Sequence, residues 1–161
     1  MVDKIQSAWG IVYYIDNDTP KYLLIKRHAL SKKVERIAPK WKINPWETKE
    51  QAAMREVSEE TWLDAQHLQI KDKIDTLSLQ LYNNQWELWI DKDITFFLMH
   101  YTGDRDNVTI QKNEWFLWMY KWATIREVIG LVLYKDLREI YRTAHNKIST
   151  IAVKDKFLES F

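Results

Sequence analysis

The chain of 161 residues carries 24 Lys+Arg against 23 Asp+Glu, is 46% hydrophobic and has no cysteine. That length predicts a single domain over residues 1–161, able to bury a core without staples. Near-neutral charge excludes a strong global field for nucleic-acid or membrane binding, and the missing cysteine excludes disulfides, thiolate metal sites and a thiol nucleophile. No run approaches the roughly 20 apolar residues of a membrane span. Met1-Val2-Asp3-Lys4-Ile5 lacks the apolar stretch of a signal peptide, so a cytoplasmic protein is expected.

In chain order, Ser7 to Ile15 reads as a strand, Asp16 to Pro20 as a turn and Tyr22 to Lys26 as a second strand, together a hairpin. Ser31 to Arg36 is polar and loop-like, and Ile37 to Pro45, with two prolines, is extended or looped. Thr48 to Thr61 is the clearest helix, opened by a Thr48/Gln51 capping box, with Ala53, Val57 and Thr61 on one face. Leu77 to Tyr82 alternates as a strand, and Ile94 to Tyr101 reads as a buried central strand. Gly103 to Asn107 is a turn and Trp118 to Trp122 a last strand. A short helix follows Thr124 and Glu127. Lys135 to Asn146 is a second amphipathic helix with the stripe Leu137, Ile140, Tyr141 and Ala144. Strands interleaved with a central and a C-terminal helix predict an α/β (α+β) fold, a mixed sheet between helices.

The chemistry concentrates on the Thr48–Thr61 helix. At about 100° per residue, Glu56, Glu59 and Glu60 share a sector about 100° wide beside the apolar face. Like charges at such spacings cost a helix roughly 0.2–0.5 kcal/mol per pair. Hard carboxylate oxygens grouped this way suit Mg²⁺ or Mn²⁺, although most acidic helix faces are only solvated surface. Arg55 and Glu47 flank the group and can pair, holding the preceding loop to the helix. The four histidines show no ligand spacing.

Glu47, then seven residues, Arg55-Glu56, Val57, one residue, Glu59-Glu60, and Leu63 after two more positions: this pattern resembles the Nudix hydrolase box. Ser7 to Val12 looks like that family's opening strand and Leu23 to Arg27 like its second. Phe96-Phe97-Leu98 and Trp122 look like its later strands. The resemblance implies an α/β/α sandwich. It also implies Mg²⁺-dependent hydrolysis of a nucleoside diphosphate-linked substrate by water attack on phosphorus. Glu56 and Glu60 are then direct metal ligands, and Glu59 a further ligand or the base. Arg55 orients the carboxylates, Glu47 supports Arg55, and the backbone carbonyl of Trp41 joins the metal shell. Pro39-Lys40 and the Lys92–Leu98 segment look most like the dinucleoside polyphosphate and oxidised-nucleotide branches. Arg27, Lys40 and Lys92 are candidate phosphate contacts and Glu114 a candidate base outside the box; each also reads as ordinary exposed charge. A small nucleotide-type molecule is the expected partner, with no nucleic acid or membrane and a homodimer left open. The competing class is a catalytically impaired Nudix-fold nucleotide-binding or regulatory module.

One feature departs from the resemblance. The chain has 9 Trp and 3 Gly, where average usage of about 7% would give roughly 11 glycines. Trp41, Trp46 and Trp62 stand where the box resemblance carries glycine, and Trp9 where the opening strand carries it. Three explanations stand. UGA codons read as glycine in the source genome are here translated as tryptophan; the chain is a degenerate homologue; or it was engineered. Under the first, Trp86, Trp115 and Trp118 are also suspect and Trp122 is genuine.

Overall fold

The computed structural model describes residues 4–27, 43–83, 87–109, 116–132 and 134–159. The expected loop over 31–36 and most of the extended segment 37–45 lie outside them. β1 (Ile5–Asp16) and β2 (Thr19–Arg27) form the expected antiparallel hairpin. Its turn residues Asn17 and Asp18 have φ of 47° and 66°, a conformation that Asn and Asp tolerate better than most residues. Then come α1 (Lys49–Thr61), a 3-10 turn at Ala65–His67, β3 (Leu68–Asn83), β4 (Leu88–Tyr101), β5 (Phe116–Ala123), α2 (Ile125–Leu131) and α3 (Lys135–Glu159).

Among the described residues the strands form one five-stranded mixed sheet in the order β3-β4-β1-β2-β5. β1 runs parallel to β4, with Ile5 opposite Lys92 and Tyr13 opposite His100; the other pairings are antiparallel. Successive strand residues point to opposite faces. Ala8 and Val12 of β1 and Phe97 and Met99 of β4 therefore meet Ala52, Ala53 and Val57 of α1. Ile11, Tyr13, Phe96 and Leu98 point the other way, onto Val128 of α2 and Ile140, Tyr141, Ala144 and Ile148 of α3. Among the described residues the fold is thus a mixed α/β sandwich with α1 on one face and α2 and α3 on the other.

Two elements run longer than the sequence pattern indicates. The strand read at Leu77–Tyr82 is the end of β3, whose first half carries Lys71, Asp72, Lys73 and Asp75 on an edge strand. Register shifts between Ile70 and Asp72 and between Lys73 and Asp75 break its alternation, which hides the strand from a period-two reading. α3 continues past Asn146 because Ile148 and Ile151 extend the same apolar stripe. The inner strand read at Ile94–Tyr101 is β4, and the central place belongs to β1. Among the described residues no helix is long and apolar enough to cross a membrane.

Candidate active site

α1 starts where its cap dictates. The Thr48 side chain accepts from the Gln51 backbone N–H at 3.1 Å, and the Gln51 side chain accepts from the Thr48 N–H at 2.8 Å. Gly10 sets how close the helix lies to the sheet. A Cβ there would stand 2.5 Å from Met99 Sδ and 2.7 Å from Val57 Cγ2, so only glycine admits this approach. The close seat carries Glu56 and Glu60 out of solvent along with the apolar residues between them: Glu56 is 0% exposed and Glu60 1%.

Arg55 organises the carboxylates. Its Nε donates to Glu47 Oε2 at 3.1 Å and its Nη2 to Glu47 Oε1 at 2.7 Å, a two-toothed clasp between the helix and the turn before it. Nη1 donates to Glu56 Oε1 at 2.8 Å and to Glu59 Oε2 at 3.4 Å. Glu47 also accepts from the Asn44 backbone N–H at 2.8 Å. The Arg55 hydrogen bond holds the Glu47 carboxyl below its usual range, and Glu47 in turn raises Arg55. Glu56 goes the other way. Burial pushes its pKa up to about 7 against the pull of Arg55, with Glu60 and Glu59 adding repulsion. Its Oε2 is buried and makes no hydrogen bond among the described residues. Glu59 keeps about half of its side chain in solvent.

Glu47, Arg55, Glu56 and Glu59 are therefore brought together, with Glu60 buried one turn beyond Glu56. Among the described residues no three carboxylate or histidine side chains converge into a metal cage. The donor chemistry nonetheless fits Mg²⁺, which usually takes one or two carboxylates and completes its shell with water and phosphate oxygens. A buried carboxylate oxygen with no hydrogen bond is the position such a cation would satisfy. Lys40, Trp41 and Glu114 lie outside the described residues. The Arg27 backbone pairs with Phe116 at the end of β2. Lys92 is placed differently from its expected phosphate contact. It is 4% exposed, and strand alternation puts it on the face of β4 shared by Ile94, Phe96 and Leu98, away from α1.

Two contributors were missed in the sequence. The Asn44 amide that fixes Glu47 belongs to the backbone and leaves no residue-type signal. Gly10 is one of only 3 glycines in the chain, and that scarcity is a usable clue. Past α1, Trp62 caps the helix in a left-handed conformation, φ 58° and ψ 18°. With Ser58, Glu59 and Leu63 it lines an open cleft of about 450 Å³. Of the histidines, His100 stacks on Tyr13 at 4.8 Å and His145 Nδ1 shares a 2.8 Å hydrogen bond with the Tyr22 hydroxyl. Both belong to the packing of the α3 face.

Known proteins share this architecture. An Ap4A hydrolase from C. elegans superposes with a TM-score of 0.65 at 18% identity, over 91% of this chain and 98% of that one. The MutT protein of Methanosarcina mazei Go1 gives 0.62 at 19% identity, over 91% and 96%. The NUDIX domain of Shewanella oneidensis NrtR, complexed with ADP ribose, gives 0.57 at 16% identity, over 92% and 90%. At these identities the likeness is one of fold. No curated protein matches the sequence. The NUDIX domain family itself matches residues 4–145, nearly the whole described molecule, and the chain belongs to the Nudix family.

Proposed function

We propose that the protein is a Mg²⁺- or Mn²⁺-dependent pyrophosphohydrolase of a nucleoside diphosphate-linked substrate, either a nucleoside triphosphate or a dinucleoside polyphosphate. The observation that carries this reading is the Arg55 clasp over Glu47, Glu56 and Glu59, with one oxygen of the buried Glu56 left without a hydrogen bond among the described residues. A surface acidic patch has no use for a carboxylate buried at the cost of a pKa raised to about 7. The relatives named for Ap4A hydrolysis and complexed with ADP ribose support a substrate of this class.

Glu56 and Glu60 would hold the cation, with the Trp41 carbonyl completing the protein share. When bound, a divalent cation neutralises the diphosphate and lowers the pKa of its water. Arg55 keeps Glu56 and Glu59 in register, and Glu47, itself held by the Asn44 amide, keeps Arg55 from swinging away. Glu59, which keeps about half of its side chain in solvent, would accept the proton of the attacking water or add a ligand. The water oxygen would bond to one phosphorus as the bridging P–O bond breaks, the electron pair staying on the leaving phosphate oxygen. Arg27 and Lys40 are proposed to meet the phosphates.

The second reading, a nucleotide-binding module without turnover, draws on Trp62, whose indole walls the cleft beside Glu59. One experiment separates them: product release from a panel of nucleoside and dinucleoside polyphosphates, with and without Mg²⁺, alongside nucleotide binding by calorimetry. Metal-dependent release supports the hydrolase. Nucleotide binding with no release from any member supports the module.

A further inference from the structure

The described tryptophans fall into two groups. Trp122 uses its indole fully: Nε1 donates to the Arg105 carbonyl at 2.8 Å, and the ring meets Tyr14 edge-on at 4.9 Å and stacks on Tyr101 at 6.1 Å. Trp89 meets Tyr82 at 5.3 Å across the β3–β4 pair, and Trp9 packs against the core under α3. Trp62 and Trp46 are different. They are 66% and 82% exposed. Trp89, at 63%, is nearly as open, but its ring has Tyr82 against it. What sets Trp62 and Trp46 apart is exposure without a ring contact among the described residues, and burial returns little for holding them.

The backbone at 62 adds a second oddity. Its φ of 58° lies in the left-handed region, and from there its N–H closes α1 by donating to the Ser58 carbonyl at 2.9 Å. A helix ends this way mainly on glycine, because a Cβ crowds the following carbonyl. Among the described residues the positive-φ positions are Asn17, Asp18, Trp62 and Glu87, and none is glycine. Asn17 and Asp18 suit their turn; a bulky aromatic does not suit its cap. Meanwhile 9 Trp and 3 Gly together approach the glycine number ordinary for this length. One residue type in excess matches one in deficit. Drift would not choose tryptophan repeatedly, whereas a single reassigned codon would.

We infer that positions 46 and 62 are glycine in the protein as its own cell makes it, their codons being UGA read there as glycine and here as tryptophan. Trp122 and Trp89, which use their rings, stay tryptophan. Glycine at 62 lets α1 stop two residues after Glu60 without strain and removes the indole wall beside Glu59. This goes beyond the hydrolase reading and does not depend on it.

The test is the mass of three tryptic peptides from protein purified from the source cells: Ile43–Lys49, Glu56–Lys71 and Trp122–Arg126. The first two are expected to be lighter by the tryptophan–glycine difference, and the third to carry tryptophan. Tryptophan in either of the first two, or glycine in the third, overturns the inference. A second measurement uses the chain as written. Trp62→Gly is expected to raise the folded-to-unfolded ratio at least about fivefold over Trp62→Ala, since both lose the indole and only one loses Cβ. Equal stabilities would remove the left-handed argument and overturn the inference at 62.

Discussion

The two faces of the sheet put helices to different uses. Under α3, Ile11, Tyr13, Tyr22, Phe96 and Leu98 meet Ile140, Tyr141, Ala144 and Ile148, and the part-buried polar pair there, Tyr22 with His145, shares a hydrogen bond. Under α1, Val57, Phe97 and Met99 pack with the small residues Ala8, Gly10, Ala52 and Ala53, which let the helix lie close, and the same helix turns two carboxylates out of solvent. One face supplies stability. The other gives some of it up to hold charge in a fixed place, as functional sites commonly do.

The comparison can be broken most directly at Glu56. Under the proposed function, Glu56→Gln is expected to lower turnover about 100-fold or more in a steady-state assay. The same change is expected to raise the Tm of the metal-free protein at pH 8, because it removes a buried charge. Lost activity with a lowered Tm would mean that Glu56 is structural. Ile140→Ala should do the reverse. It is expected to cost about 2–5 kcal/mol in denaturant unfolding and to leave KM unchanged under conditions where the protein stays folded.

The faces should also respond to pH with opposite signs. Glu56 has its folded pKa raised from 4.5 to about 7. Its contribution to stability is complete below pH 4.5 and is lost as pH rises to about 7, on the order of 3 kcal/mol in the metal-free protein. Glu56→Gln should flatten that slope in urea titrations across the window. His145 has its pKa lowered from 6.5 by burial. Its contribution is complete above pH 6.5 and fades as pH falls through the folded value. Tyr22→Phe, which removes the hydroxyl facing His145, is expected to cost about 0.5–1.5 kcal/mol at pH 8. An effect of the same size is expected at the helix cap: Thr48→Ala should cost about 1 kcal/mol and loosen the turn that carries Glu47, visible as faster amide exchange at Asn44.

Much of this was legible in the sequence because it is local. The Thr48/Gln51 and Thr124/Glu127 pairs announce their helices, and helical spacing alone puts Glu56, Glu59 and Glu60 in one sector with Glu59 one turn from Arg55. What escaped depends on non-local partners. Lys92 reads as an available cation until strand register assigns its face, and the first half of β3 is hidden by its bulges and edge charges. The depth of Glu56 follows from Gly10, far away in the chain and silent until Met99 and Val57 are seen against it.

The parallel pairing of β1 with β4 has a consequence for how the protein is born. β1 can zip with β2 as soon as the hairpin leaves the ribosome, but its other edge waits for Leu88–Tyr101 to be synthesised. Until then α1 has only part of its floor, and Phe97 and Met99, which complete the core around Val57, do not yet exist. Topologies built on such distant pairings fold slowly, because a long loop must close before any contact rewards it. The pocket for Glu56 is therefore finished late, after β4 arrives, and a nascent chain stalled before Tyr101 holds its acidic helix over an unfinished sheet.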